Sequence, residues 1–215
     1  MQQIKLVALI AWACLALGSV CTAQLARIGA LSAAGASDEL KRAVEDNGYR
    51  LVLDQGWTAE FWFVRQLKTE TKDTSGALYP ELTNGEFVGV VDLPQGMTDF
   101  RGQAIPAGAY TLRYQLIPQD GNHMGVNPTR DAIVLVPVAA DPGPAKTLDF
   151  DSLVKLGRQA SGTAHPALLV AAQPSGTSFP SVVKDDQGHW NVQAKGHTAG
   201  GDLPLAVTVV GKFEG

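Results

Sequence analysis

The sequence predicts a mainly β protein, an antiparallel β-sandwich of immunoglobulin-like or jelly-roll-like type with two short helices. Three observations point there. Short apolar or alternating runs recur between clusters of Gly, Pro, Asn and Asp, which is the pattern of strands joined by turns. Only two stretches carry helical periodicity with caps. No internal repeat appears at a period of about 20–50 residues, which argues against a propeller or solenoid.

At the start, Lys5 precedes an almost wholly apolar run from Leu6 to Leu17, and Gly18 to Ala23 ends in small residues. This is the layout of a secretory signal peptide over 1–23, cleaved after Ala23, and it implies a periplasmic or secreted protein. The run falls short of the roughly 20 apolar residues that a membrane span needs, and nothing later in the chain is long and apolar enough. Both cysteines, Cys14 and Cys21, lie inside that leader, so the exported chain is expected to be free of disulfides. Removing Lys5 from the 17 basic residues leaves 16 against 21 acidic ones, a formal charge of −5. No basic patch suggests nucleic acid or anionic lipid.

Residues 24–36, rich in Ala, Gly and Ser, read as a flexible lead-in, and 37–215 as a single domain. Ser37 followed by Asp38, Glu39 and Leu40 predicts an N-capped helix that stops before Gly48. Tyr49–Leu53 and Ala59–Gln66 are strands about the Asp54-Gln-Gly56 turn. In the second, Trp62 shares a face with Glu60, and Trp57 with Trp62 could form an aromatic platform for a sugar. Residues 68–84 read as a solvated loop and Phe87–Leu93 as the next strand.

The centre of the fold is Ala107 to Pro137. Tyr110, Leu112, Tyr114 and Leu116 alternate with Thr111, Arg113 and Gln115, which predicts a half-buried strand with a polar outer face. Residues 132–136 are apolar throughout, as in a central strand. Between them, 119–131 is a long polar excursion, and loops of about a dozen residues in compact domains are uncommon and often functional. After Pro137 a Pro- and Gly-rich exit leads to a second helix, capped by Asp149 or Asp151 and ended at Ser161-Gly162. Ala167–Ala172, Ser181–Lys184, His189–Ala194 and Leu203–Gly211 complete the strands, with Asp185 to Gly188 as turn chemistry.

The segment Ile105-Pro-Ala-Gly-Ala-Tyr-Thr-Leu112 resembles the PAG-x-Y-x-L start of a hairpin in secreted bacterial proteins of uncharacterised, domain-of-unknown-function families with a β-sandwich-like body. The resemblance implies an envelope location and β structure, and it carries no catalytic residue.

For chemistry, the chain lacks G-x-S-x-G, H-E-x-x-H, a phosphate-binding glycine loop and EF-hand spacing, so no cofactor is expected. The excursion supplies the candidate ligand-binding residues Asp120, Asn122, His123, Arg130 and Asp131. Asp120 with His123 could begin a metal site, although Asp120-Gly121 is also a plain turn. Ser161 with His165 invites a hydrolase reading, but a helix end exposes no nucleophile elbow. The leading expectation is a non-catalytic binding module for a partner protein, glycan or small molecule. The alternative is a metal-dependent or hydrolytic envelope enzyme using the 119–131 loop together with His165.

Overall fold

The computed structural model describes residues 23–70, 76–119 and 128–211. Along the chain they form β1 (Ala23–Ile28), α1 (Asp38–Ala43), β2 (Gly48–Leu53), a 3-10 turn (Asp54–Gly56), β3 (Thr58–Phe63), β4 (Phe87–Leu93), β5 (Met97–Thr98), β6 (Ala104–Ile105), β7 (Gly108–Leu116), β8 (Asp131–Pro137), α2 (Phe150–Ser161), β9 (Leu168–Ala172), β10 (Ser181–Lys184), β11 (Trp190–Thr198) and β12 (Gly201–Val210). The protein is therefore mainly β with two helices, as its periodicities predict.

Ten strands join one antiparallel sheet in the order β1-β2-β3-β4-β7-β8-β9-β12-β11-β10, and β5 pairs with β6 in a separate small ladder. The end strands β1 and β10 approach each other, so the sheet curls until it is nearly a barrel. This differs from the expected pair of packed sheets. The physical reason is that alternation along a strand fixes which side chains turn inward. It carries no information about whether the inward faces meet across two sheets or around one.

A ring of cross-strand neighbours follows the inner wall. Leu25 faces Leu51, Phe61 faces Val91, Leu112 faces Leu135, Ile133 faces Leu169, and Ala171, Val207, Val192 and Val182 continue the series. Most of these side chains are buried in one cluster with Phe63, Tyr110 and Tyr114. Each buried aliphatic or aromatic chain contributes on the order of 1.5–3 kcal/mol.

The lead-in expected over 24–36 is ordered at its start, where β1 pairs with β2 from Ala23↔Leu53 to Ile28↔Gly48. Beyond it, Leu31, Ala33 and Leu40 are buried, and the Trp62 indole donates to the Gly29 carbonyl at 3.0 Å. Trp62 is only 1% exposed. The Trp62 end of the outer face of β2 and β3 is thus covered by the segment that begins at Gly29, while Arg50 on the same face stays exposed. The Ser37 cap holds, its Oγ accepting from Leu40 N, but α1 stops at Ala43, well before Gly48, because Val44 bridges to Val64.

β7 is the second departure. Its expected solvent face, Thr111, Arg113 and Gln115, is buried, because the segment 138–148 and α2 lie over it. Arg113 reaches Asp141 through Nε at 2.9 Å and Nη2 at 2.6 Å, and donates to the carbonyls of Gly85, Gly143 and Lys146. Next to it α2 packs Leu153 on Val134 and Val136. Gly157 permits that approach, since a β-carbon there would meet Val134 at 2.7 Å. Asp149 caps α2 through Ser152 N, and Gly162 ends it in the left-handed conformation.

Candidate functional site at the barrel mouth

At one end of the barrel, the β2–β3 turn, the β4–β7 connection, the β10–β11 turn and the last residues of β12 surround an open cleft of about 1380 Å³. Ligand sites favour such positions, concave and in the mouths of barrels.

Each wall is held by local polar chemistry. Trp57 leaves the 3-10 turn and donates its indole N–H to the Gly96 carbonyl at 2.9 Å, which ties the β2–β3 turn to the β4–β5 turn. Opposite it, the fully buried Asp99 accepts from Arg101 N at 3.0 Å, Gln103 N at 2.8 Å and Gln103 Nε2 at 2.8 Å. Its carboxylate is consumed in shaping the β5–β6 turn, and that turn sets Phe100 and Met97 on the cleft wall.

The third wall is the β10–β11 hairpin. Asp185 Oδ1 accepts from Gln187 N at 3.0 Å and His189 N at 2.9 Å, the expected Asp-turn chemistry. The other oxygen, Oδ2, meets His189 Nδ1 at 3.1 Å and Asn191 Nδ2 at 3.3 Å. Partial burial pushes the Asp185 carboxyl up, but these hydrogen bonds and the imidazole outweigh it and hold the group below its ordinary value. The imidazole lies edge-on to Phe100, with ring centres 5.3 Å apart. Trp190 follows at once, half-buried, with Lys184 Nζ 5.4 Å from its ring centre. Leu53, Ile105 and Val209 form the apolar floor.

The residues expected from sequence are distributed differently. Asp120, Asn122 and His123 lie outside the described residues. Of the 119–131 excursion, Pro128 lines the cleft. Arg130 Nε donates to the Ile117 carbonyl at 3.1 Å, closing the base of the excursion. Asp131 is fully buried, and its carboxylate accepts from Leu78 N at 2.9 Å, Tyr79 N at 3.1 Å and Tyr114 Oη at 2.7 Å. It anchors residues 78–79 to the barrel wall. Burial, reinforced by Asp131, raises the phenol pKa of both Tyr114 and Tyr79, so both remain protonated donors.

Ser161 Oγ donates to the His165 backbone carbonyl at 2.6 Å, an arrangement that finishes α2 and gives no serine–imidazole contact. The suggested Trp57–Trp62 platform is split, Trp57 in the cleft and Trp62 under the outer cover. Among the described residues no three His, Cys, Asp or Glu side chains converge as a metal site. No protein-family model, curated protein or solved structure matches the chain.

Sequence reasoning missed His189, Trp190, Met97 and Phe100 as a group. The Asp185–His189 spacing across a turn was readable, but its proximity to Phe100 and Trp57 depends on closure of the sheet, to which no local pattern speaks.

Proposed function

We propose that this protein is a secreted or periplasmic, non-catalytic binding module that takes a small molecule at the mouth of its near-closed barrel. One observation carries the reading. Among the described residues, half-buried Trp57, Met97 and Trp190 gather around this cleft over a floor of buried Leu53, Phe100, Ile105 and Val209. Val210, at 39% exposure the one exposed large hydrophobic among the described residues, lies on its rim. Uncovered apolar surface grouped at a concavity, and edged by polar groups, is what a binding site presents to solvent. The export expectation rests on Lys5, the apolar run and Cys21-Thr22-Ala23.

The test uses Nile red, an uncharged apolar dye whose emission rises on leaving water. Saturable binding is expected, weakened about tenfold or more in Trp57→Ala and in Trp190→Ala, because each ring contributes at least the roughly 1.4 kcal/mol that a tenfold change represents. Arg50→Ala, on the outer face where Arg50 pairs with Glu60, should bind as the parent does. Absence of saturable binding, or equal binding by both Trp variants, contradicts the reading.

A further inference from the structure

The part of the cleft lining that stays open to solvent combines flat indole rings with neutral hydrogen-bonding groups. Resting on the cleft reading above, we propose that the cleft takes an uncharged saccharide of equatorially substituted pyranose rings, stacked on Trp57 and Trp190 and hydrogen-bonded by Thr98 and Gln187.

The first supporting observation is that both indoles are held in place and only half-buried. The Trp57 N–H donates to the Gly96 carbonyl at 2.9 Å, so its ring is fixed by one edge and keeps a bare apolar surface. Trp190 stands on β11 with Lys184 Nζ 5.4 Å from its ring centre. Lys184 is not part of the cleft lining, so it backs the ring and leaves the cleft side of Trp190 to a ligand. A fixed indole offers a large flat surface at little ordering cost. A pyranose with equatorial hydroxyls has the matching shape, with C–H groups on its two faces and hydroxyls around its edge. The cleft, at about 1380 Å³, exceeds the roughly 300–1,000 Å³ usual for drug-sized ligands and has room for more than one such ring.

The second observation is the state of the polar lining. Thr98 and Gln187 are exposed at the rim, and neither side chain has a hydrogen-bond partner among the described residues. A hydroxyl and a carboxamide each donate and accept, as the hydroxyls of a sugar do in return. The other polar side chains are engaged within the protein. Gln95 Oε1 accepts from Thr58 N at 3.2 Å and Thr58 Oγ1 at 3.0 Å, Asp99 holds the β5–β6 turn, and Asp54 is likewise engaged. These groups shape the rim and are not needed as ligand contacts.

The experiment is isothermal titration calorimetry with methyl β-cellobioside, in which every ring substituent is equatorial, and with sorbitol, an open-chain polyol that has hydroxyls but no ring face. The cellobioside should bind saturably and at least about tenfold more tightly than sorbitol. Trp57→Ala and Trp190→Ala should each weaken it about tenfold or more. Thr98→Val and Gln187→Ala should each weaken it about two- to tenfold, the worth of one hydrogen bond. Arg50→Ala should bind it as the parent does, and circular dichroism of every variant checks the fold. Sorbitol binding as tightly as the cellobioside, either Trp variant binding as the parent does, or Thr98→Val and Gln187→Ala both leaving affinity unchanged overturns the ligand class. Nile red bound without any binding of the cellobioside is a failure of this inference alone. Failure of both dye and cellobioside to bind the parent protein is instead a failure of the cleft reading, and this inference falls with it.

Discussion

Arg113 occupies a position where an alternating strand should face water, and its burial against Asp141 converts that face into a polar seam. Both side chains are fully buried. Burial pushes the Asp141 carboxyl up, but Arg113, Thr111 and the Gly143 N–H outweigh it and hold it below the ordinary range. The sign of the pH effect follows. A carboxyl depressed in the folded state contributes fully above its unfolded pKa, about 3.9, and the contribution is lost as pH falls through the folded value. Asp141→Asn should therefore cost about 3–5 kcal/mol at neutral pH, since it leaves a buried guanidinium without its charge partner. In urea titrations across pH, that deficit should narrow below about pH 4; a deficit constant down to pH 2 (~2) would show that the pair is not the titrating element.

Asp131→Asn tests the second buried carboxylate. An amide cannot accept from Leu78 N, Tyr79 N and Tyr114 Oη together, because one of its two ends is a donor, so a loss of about 1–3 kcal/mol is expected. If Asp131 were instead a ligand group on a loose loop, the variant would melt with the parent. Gly85 is the third such position. It has φ +77°, and a β-carbon would lie 1.9 Å from the Leu148 carbonyl oxygen, so Gly85→Ala should destabilise by more than the roughly 1–3 kcal/mol of backbone strain alone. A melting temperature within a degree (~1 °C) of the parent would mean that residues 141–148 do not lie against this turn.

Elements with strong local signals are the ones the sequence made legible. Phe87–Leu93 and Ser181–Lys184 occur with the expected bounds, and Ser37 and Asp149 cap their helices because a side-chain oxygen before a helical run meets N–H groups in any context. β1 was not legible. Its residues Ala-Gln-Leu-Ala-Arg-Ile alternate weakly, and its order comes from hydrogen bonds to β2 and from Leu25 packing on the core. The outer face of β7 was misread for a related reason, as nothing within 108–116 announces that 138–148 will return over it. Deleting residues 24–28 separates the two readings of the N-terminal segment. The structure predicts a loss of at least the roughly 1.5–3 kcal/mol of the Leu25 side chain, together with aggregation through the bared β2 edge. A monomeric product of unchanged stability would restore the flexible lead-in.

The scale of the whole molecule is where the candidate site forms, because the cleft exists only when the sheet has curled far enough to bring its distant turns together. Trp57 and Trp190 stand 133 positions apart in the sequence numbering and meet as walls of one space, with Met97, Phe100 and His189 between them. The 119–131 excursion, which composition favoured as the site, contributes Pro128 to that space while its base is fixed by Thr129, Arg130 and Asp131. Chain closure therefore offers, beside the expected loop, a candidate site built from a set of turns. The most direct measurement is a two-dimensional nitrogen–proton spectrum of the indole N–H groups of protein spanning residues 23–215, recorded with and without saturating Nile red. Trp57, Trp62 and Trp190 each give one signal, assigned by substitution. Binding at the barrel mouth should move the Trp57 and Trp190 signals and leave Trp62, sealed under the Gly29 carbonyl, in place. A shift of Trp62 alone, or bound dye with all three signals unmoved, would contradict the account.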